Sequence, residues 1–190
     1  MLLFREKIPS NWSAKVLDHL PEVLVDHAHL ERKAATSAIN LQKYAVLHDQ
    51  VEALTAIAIE ELQHFLLVLD LLRQRKIPFT AARPSAWISG LMRSVRQGQK
   101  HQAIDHLICA AFIEARSCEK FQILARALHR CDPPLAQFYS SLVESEGNHY
   151  ASYLRLARHV DAEEAGHRLD FYLQREAELM RVPNSDPILH

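Results

Sequence analysis

The sequence predicts an all-α protein whose core is a bundle of four long helices. Only four of the 190 residues are Gly and eight are Pro, and such a composition favours helices over a β architecture rich in turns. Apolar side chains recur at helical spacing along four long stretches of the chain. The second and third stretches are separated by about 25 residues, and a connection of that length is typical of a bundle with a long crossover.

Two short helices are predicted to flank the core helices, and residues 1–190 are predicted to form a single domain. The first core helix has Pro21 at its start, a position that Pro favours. Pro and Gly residues interrupt the crossover, so it is not predicted to continue either neighbouring helix. The predicted core helices are about Pro21–Leu47, Gln50–Arg75, His101–Arg130 and Pro133–His159, and the flanking helices are about Ser13–His19 and Asp161–Met180.

The composition also excludes several classes of protein. No apolar run approaches the roughly 20 residues that a membrane-spanning helix needs, and residues 1–12 lack the apolar segment of a secretory signal. The three Cys residues show no Cys-x-x-Cys spacing, which predicts neither a disulfide framework nor a zinc knot. We therefore expect a cytoplasmic protein without a membrane partner.

Charged side chains interrupt each of the four apolar stripes near its centre. A lone carboxylate on a core face is costly unless it is paired or binds a metal ion. One Glu from each of two helices and a Glu-x-x-His pair from each of the other two is the ligand pattern of di-iron carboxylate proteins, which are ferritin-like four-helix bundles. The i, i+3 spacing places both members of a pair on one helix face. The predicted metal ligands are Glu31, Glu61, His64, Glu114, Glu146 and His149.

The spacing of these residues supports two antiparallel helix pairs. Residues at the same level of such a pair are equidistant from the turn that joins the helices. The midpoint between Glu31 and the first Glu-x-x-His pair falls at 46 to 47.5, next to the polar residues His48 and Asp49. The midpoint between Glu114 and the second pair falls at 130 to 131.5, next to 131–133. A third match, Glu164 with His167, would require a turn inside a helix and is predicted to lie on the surface.

Carboxylates with two imidazoles favour iron or manganese over zinc, and we expect two iron ions. Some neighbouring residues leave alternatives open. Glu60 could replace Glu61, because an i, i+4 spacing also reaches His64. His27 lies one turn before Glu31 and is either a hydrogen-bond partner of that ligand or an ordinary core histidine. Cys118 is expected to pack as a small buried side chain.

The crossover is strongly basic. From Leu71 to Ile104 the chain contains no Asp or Glu, and an aromatic residue, Trp87, lies among the cations. Cations on such a connection neutralise phosphates, and an aromatic ring stacks on an unpaired base. A solvated basic loop is the alternative interpretation. The residues predicted to contact nucleic acid are Arg73, Arg75, Lys76, Arg83, Trp87, Arg93, Arg96 and Lys100.

Around the predicted ligands, the sequence resembles the tRNA isopentenyl-adenosine hydroxylase family, MiaE. The resemblance implies a ferritin-like, oxygen-dependent di-iron monooxygenase that hydroxylates the isopentenyl group of a hypermodified adenosine next to the tRNA anticodon. It also implies O2 as co-substrate, an external electron donor, and tRNA and an electron-transfer protein as partners. The matching blocks are Asp26–Ala35, Ile59–Phe65, Phe112–Cys118 and Glu144–Tyr150.

Two other functions remain compatible with the pattern. A ferritin-like oxidase or peroxidase acting on a small molecule would use the same metal ligands, and the basic crossover would then be incidental. A helical module that binds RNA or protein without metal would use neither the Glu-x-x-His pairs nor O2.

Overall fold

A computed structural model describes residues 4–81, 84–182 and 189 of the chain. Within these residues it contains seven α-helices, one 3-10 helix and no β-strand. The α-helices are α1 (Trp12–Asp18), α2 (Leu20–Leu41), α3 (Val51–Gln74), α4 (Ala86–Met92), α5 (Gln99–Leu128), α6 (Pro133–Val160) and α7 (Ala162–Met180), and the 3-10 helix is Ala45–Gln50.

The core consists of two helix pairs, α2 with α3 and α5 with α6, which make the most extensive contacts in the structure. Each pair is joined by a short turn, at 42–50 and at 129–132, so its helices run antiparallel. The connection from α3 to α5 is long and crosses over, whereas α1 and α7 flank the bundle. The predicted all-α, ferritin-like four-helix bundle with a crossover between its second and third core helices is thus confirmed.

Local sequence signals account for the helix ends. Asp132 accepts a hydrogen bond from the backbone N–H of Leu135 at 3.2 Å, and Pro133 stands in the first turn of α6. Such an N-terminal cap satisfies a backbone donor that the helix itself leaves unpaired. At the end of α3, Lys76 adopts a left-handed conformation with φ of 57°. Its neighbour Ile77 then donates to the Leu72 carbonyl at 2.9 Å, which closes the last turn.

Two details of the fold differ from the sequence-based prediction. Helix α2 ends at Leu41 rather than near Leu47, because the chain turns into an extended conformation at Tyr44 before the 3-10 helix begins. This turn buries Leu47 completely in the core. In addition, the crossover contains a seven-residue helix, α4, and the Ser85 hydroxyl caps it by accepting a hydrogen bond from the backbone N–H of Ile88. A helix this short has little periodicity, so its stability depends on packing against α5 and α7.

The apolar core is divided into two clusters along the bundle axis. One cluster includes Leu54, Ile104 and Tyr153, and the other includes Leu24, Val68 and Phe121. Each core helix contributes residues to both clusters and passes through the level between them. The predicted metal ligands all lie at this intermediate level.

A buried carboxylate anchors the crossover to the bundle. Asp105 of α5 is fully buried and accepts hydrogen bonds from the backbone and side chain of Arg96 and from Arg168 of α7, at 2.8 to 3.0 Å. Burial alone would raise the pKa of Asp105, but the bonds to the two guanidinium groups outweigh it and lower the pKa. A buried charge that is paired in this way fixes the geometry of the elements that carry it.

Among the described residues, no helix is long and apolar enough to cross a membrane.

The close approach of α4 to α7 predicts a difference between two helical glycines. A Cβ atom at Gly90 would lie 2.3 Å from a methyl carbon of Leu179, whereas one at Gly166 would meet nothing within 4 Å. Gly166→Ala should therefore stabilise the protein by roughly 0.5–1 kcal/mol. Gly90→Ala should lack that gain, because Leu179 must move, and overpacking costs about 1–3 kcal/mol. Thermal denaturation of both variants tests this, and equal Tm values would contradict it.

Candidate metal centre

The six predicted metal ligands converge inside the bundle. Glu31 comes from α2, Glu61 and His64 from α3, Glu114 from α5, and Glu146 and His149 from α6. All six are buried, and the most accessible of them, His64, is only 7% exposed. The ligands of the two helix pairs therefore lie at one level of the bundle, as their equal distances from the connecting turns predict.

One group of three ligand atoms forms around His64. Glu31, Glu61 and His64 each present an atom within 4.8 Å of the others. The Nδ1 atom of His64 lies 3.6 Å from Glu31 Oε2 and 3.9 Å from Glu61 Oε2. Glu146 approaches the same nitrogen, with its Oε1 at 3.9 Å. The two carboxylates and the imidazole of the group thus face a common space.

A second group forms around His149. Glu61, Glu114 and His149 also present ligand atoms within 4.8 Å of one another. His149 Nδ1 lies 2.7 Å from Glu61 Oε1. Because Glu61 belongs to both groups, its carboxylate lies between two adjacent positions for a metal ion. This arrangement suits a dinuclear centre with a shared carboxylate better than two independent sites.

Unsatisfied polar atoms provide a test of whether a metal fits here. Four buried ligand atoms make no hydrogen bond among the described residues: Glu61 Oε1, His64 Nδ1, Glu146 Oε1 and His149 Nδ1. Two of them, Glu61 Oε1 and His149 Nδ1, lie 2.7 Å apart without the geometry of a hydrogen bond. Leaving a buried polar atom unpaired costs about 1–3 kcal/mol, and more for a charged group. All four atoms belong to the predicted ligands. Coordination to cations would satisfy them together, and the oxygen-rich donor set suits iron.

The pKa values of the carboxylates show the same deficit of positive charge. Burial, and then the charges of neighbouring carboxylates, raise the pKa of both Glu61 and Glu146 well above 4.5. Burial also raises the pKa of Glu114. Burial also acts to raise the pKa of Glu31, but the charge and the hydrogen bond of the adjacent His27 outweigh burial and lower this pKa. A cation at this level would stabilise the ionised form of all four groups.

Residues outside the cluster hold the ligands in place. His27 is fully buried, its Nε2 lies 2.5 Å from Glu31 Oε1, and its ring stacks on Tyr139. Glu60 lies 3.0 Å from Nε2 of His149, on the side of the ring opposite the cluster. Hydrogen bonds of this kind fix the orientation of a ligand imidazole. Glu60 thus contacts a predicted ligand from outside, while Glu61 belongs to both groups of ligand atoms.

Two further expectations concern residues outside the cluster. Cys118 is buried, its Sγ approaches the Val143 carbonyl oxygen at 3.5 Å, and it belongs to neither group of ligand atoms. Glu164 forms an ion pair with Arg96 at 2.5 Å, and His167 is exposed on α7. Both residues of the third Glu-x-x-His match therefore lie outside the metal cluster.

A cavity of about 540 Å³ reaches the cluster from the surface. Its walls come from α2, α4 and α5 and are largely apolar, with Ala34, Ile88 and Ile113 among them. Glu114 and Tyr153 line the same cavity. The hydroxyl of Tyr153 is buried and has no hydrogen-bond partner among the described residues. Helical periodicity in the sequence does not reveal this position of Tyr153, because it does not distinguish a packed phenol from one that faces a cavity.

Most of the crossover cations predicted to bind nucleic acid have carboxylate partners. Arg75 pairs with Asp132 at 2.7 Å and Lys100 with Asp161 at 2.7 Å, while Arg96 binds buried Asp105. Arg73 pairs with Asp70 on the surface. Lys76 and Arg93 are exposed and have no ion pair within the described part of the chain, and Arg83 lies outside that part.

The predicted role of Trp87 does not fit its surroundings. Its side chain is only 8% exposed, and its indole N–H donates to Glu176 at 3.3 Å. In this conformation the ring is not available to stack on a base. Trp87 packs α4 against α7 instead, and contact of the other crossover residues with RNA stays a prediction.

The raised pKa of Glu146 predicts the stability of the metal-free protein. The folded state keeps a proton on Glu146 at pH values where the unfolded chain has lost it, so its contribution to stability falls as pH rises above about 4.5. Glu146→Gln mimics the protonated form. It should raise Tm in chelator at about pH 8, and the gain should shrink towards pH 5.

Glu60→Gln provides a control that should shift Tm in the opposite direction at about pH 8. Burial opposes ionisation of Glu60, but hydrogen bonds with Ser145 and His149 outweigh it and lower the pKa. Its contribution to stability is therefore present at neutral pH and lost as pH falls, and Glu60→Gln should lower Tm at about pH 8. Tm shifts of the same sign for both variants would contradict the electrostatic account of the cluster.

The chain is similar to proteins of known family. The model of the family described as tRNA-(MS[2]IO[6]A)-hydroxylase (MiaE) matches residues 2–190. A Pseudomonas putida KT2440 protein named tRNA 2-(methylsulfanyl)-N(6)-isopentenyladenosine(37) hydroxylase is 35% identical, over 96% of this chain and 88% of its own length. A Salmonella typhimurium LT2 protein of the same name is 30% identical, over 96% of this chain and 85% of its own length.

A solved structure extends the comparison. A Synechococcus protein described as protein 43 with aldehyde deformylating oxygenase activity superimposes with a TM-score of 0.92 and is 31% identical, covering 100% of this chain and 96% of its own. The family match spans nearly every residue, and the two relatives that bear the hydroxylase name cover most of their own length. The chain therefore belongs to the MiaE family of tRNA hydroxylases.

Proposed function

We propose that this protein is an oxygen-dependent di-iron monooxygenase that hydroxylates the isopentenyl side chain of a 2-methylthio-N6-isopentenyl adenosine next to the tRNA anticodon. The observation that carries the proposal is the cluster of four buried Glu and two buried His at the end of an apolar cavity. Membership of the family and the names of the two relatives support the substrate.

The six buried residues would hold two iron ions. Glu31, Glu61 and His64 would bind one ion, and Glu61, Glu114 and His149 the other, while Glu146 faces the first group. When bound, the two iron ions would activate O2, with electrons from an external donor. The protein's own task is to hold the ligands at fixed positions, which the hydrogen bonds of His27 and Glu60 assist.

The cavity suits an apolar group attached to a nucleoside. Its volume of about 540 Å³ lies within the range of small-molecule sites. Apolar walls, which include Ala34 and Ile113, favour a hydrocarbon chain and disfavour water. The isopentenyl group would therefore enter first, with its methyl carbons towards Glu114 and the metal ligands, and the adenine ring would follow.

Tyr153 would act as a neutral hydrogen-bond donor at the inner end of the cavity. Burial, and then the charges of Glu114, Glu61 and Glu146, raise the pKa of Tyr153 well above 10. The phenol therefore keeps its proton at Oη at neutral pH. Its unpartnered hydroxyl lines the cavity together with Glu114, so it can donate to an oxygen atom that arrives or forms there.

Use of tRNA as substrate has consequences for partners and location. An enzyme that modifies tRNA works where tRNA is present, which supports the cytoplasm as its location. Hydroxylation with O2 consumes two electrons that the substrate does not provide, so an external reductant is needed, and an electron-transfer protein would supply it in the cell.

A second candidate activity is favoured by the Synechococcus structure. That protein shares the fold over its whole length and is described as having aldehyde deformylating oxygenase activity. The apolar cavity of the present chain would also accept the hydrocarbon chain of an aldehyde. Both reactions would use the same metal ligands, so only the substrate distinguishes them.

The ligand assignment predicts which substitutions remove iron. The protein should bind about two iron ions per chain, and His149→Ala should lower that number because a ligand is lost. His167→Ala provides a matched control, since it belongs to the Glu-x-x-His match outside the cluster. Iron content after purification measures the effect. Loss of iron from His167→Ala but not from His149→Ala would contradict the assignment.

The substrate is tested with iron-loaded protein, a chemical reductant and O2. The 2-methylthio-N6-isopentenyl nucleoside and a tRNA that carries it should each gain one oxygen atom on the isopentenyl group, as measured by mass spectrometry of the nucleosides. A long-chain aldehyde should remain intact. Loss of the aldehyde's formyl group without hydroxylation of the nucleoside would replace the proposed activity with the second candidate.

A further inference from the structure

One face of α2 carries a continuous stripe of hydrogen-bond donors. At 100° per residue these side chains fall within an arc of about 140° on the helix surface, and all of them are exposed. The chain contains no Asp or Glu between Glu31 and Asp49, so no carboxylate of α2 interrupts the stripe. We call it the α2 stripe; its residues are Arg32, Lys33, Thr36, Ser37, Asn40 and, just beyond the helix, Lys43.

The cations of the α2 stripe differ in their partners from most of the crossover cations, although Lys76 and Arg93 of the crossover also lack an ion pair among the described residues. Arg32, Lys33 and Lys43 form no ion pair with a carboxylate anywhere in the described part of the chain, whereas Arg75, Arg96 and Lys100 do. A cation that is already paired gains less from a phosphate, because it must first give up its carboxylate. The unpaired charges of the α2 stripe are therefore the better site for an anionic ligand.

Arg32 is also held in a defined position. It donates to Nδ1 of His29 at 3.2 Å, and Nε2 of His29 in turn donates to the Thr80 carbonyl at 2.7 Å. The imidazole stacks on Phe79 with 4.4 Å between ring centroids. A guanidinium that is oriented in this way loses less entropy when it binds a phosphate than a free side chain does.

The α2 stripe borders the cavity that leads to the metal cluster. All six of its residues line this cavity, together with Glu114 and Tyr153 at the inner end. A nucleotide whose side chain enters the cavity therefore brings its own phosphate, and those of its neighbours, to the α2 stripe. Cationic and hydroxyl or amide donors are the groups that commonly bind phosphate oxygens.

We infer that the α2 stripe binds the sugar-phosphate backbone of the RNA on both sides of the target nucleotide, an inference that rests on the proposed function. The basic crossover would then have a mainly structural role. An acidic protein, such as an electron donor, is the competing occupant of a cationic face. RNA is favoured because the α2 stripe lies at the opening through which the substrate must pass.

Two double variants with the same change in net charge test the inference. Lys33→Glu with Lys43→Glu removes two cations of the α2 stripe, and Arg73→Glu with Lys76→Glu removes two cations of the crossover. Binding of a tRNA anticodon stem-loop is measured across a series of salt concentrations. The α2 variant should bind on the order of tenfold more weakly, and its log–log salt slope should flatten by about 1.4, or about 0.7 for each contact to a single strand. The crossover variant should bind like the unmodified protein.

Iron content should be unchanged in the α2 variant, because the predicted metal ligands lie inside the bundle and none belongs to the α2 stripe. If the double charge reversal prevents folding, Lys33→Gln with Lys43→Gln should show the same loss of affinity to a smaller extent. Normal RNA affinity and salt slope in the α2 variant would overturn the inference. The inference would also be overturned if the α2 variant lost turnover only when a protein supplies the electrons, because the α2 stripe would then bind that electron donor.

The outcomes also separate this inference from the proposed function. If the unmodified protein neither binds the stem-loop nor hydroxylates the nucleoside, the proposed function fails and the inference fails with it. If the unmodified protein does both and the α2 variant is indistinguishable from it, only the inference fails.

Discussion

The structure depends on a layer of charge inside an apolar core. Four carboxylates and two imidazoles lie at one level of the bundle, with an apolar cluster on either side. Four of their polar atoms have no hydrogen-bond partner among the described residues, and the pKa values of Glu61 and Glu146 are raised well above 4.5. Without a cation, this layer opposes the burial of the two apolar clusters around it. With cations, the same layer joins all four helices at one point, so metal binding and folding become linked.

This constraint fixes the register of each helix pair. A slip of one residue rotates a side chain by about 100° around its helix, which would move a ligand out of the core. The turns at 42–50 and 129–132 must therefore fall midway between the ligands that they bring together. That relation involves only positions along the chain, which is why the sequence could predict the pairing of α2 with α3 and of α5 with α6. It also explains why the sequence could place the Glu164–His167 match outside the cluster.

Features that depend on contacts between distant segments could not be predicted in the same way. Glu60 and Glu61 are adjacent, and only the packing of α3 against α6 shows that Glu60 contacts His149 from outside the cluster. The cations of the crossover form a basic run in the sequence, yet their partners lie elsewhere in the chain, as Asp105 does for Arg96. Trp87 could be identified as an aromatic residue in a basic segment, but not as one buried next to Glu176. Charge composition predicts a surface only when the folded positions of the opposite charges are known.

Substrate choice in this fold depends on the cavity more than on the metal layer. The chain is 35% identical to a relative named for tRNA hydroxylation and 31% identical to a structure described as an aldehyde deformylating oxygenase. Such similar values do not discriminate between the two activities, because a shared bundle supports different chemistries. A fatty aldehyde carries no phosphate, so it would make no use of three unpaired cations around the opening of the cavity. An RNA substrate would bind them at the same time as its prenyl group fills the apolar interior. The combination of an apolar interior with a cationic opening therefore favours a prenylated nucleotide within an RNA chain.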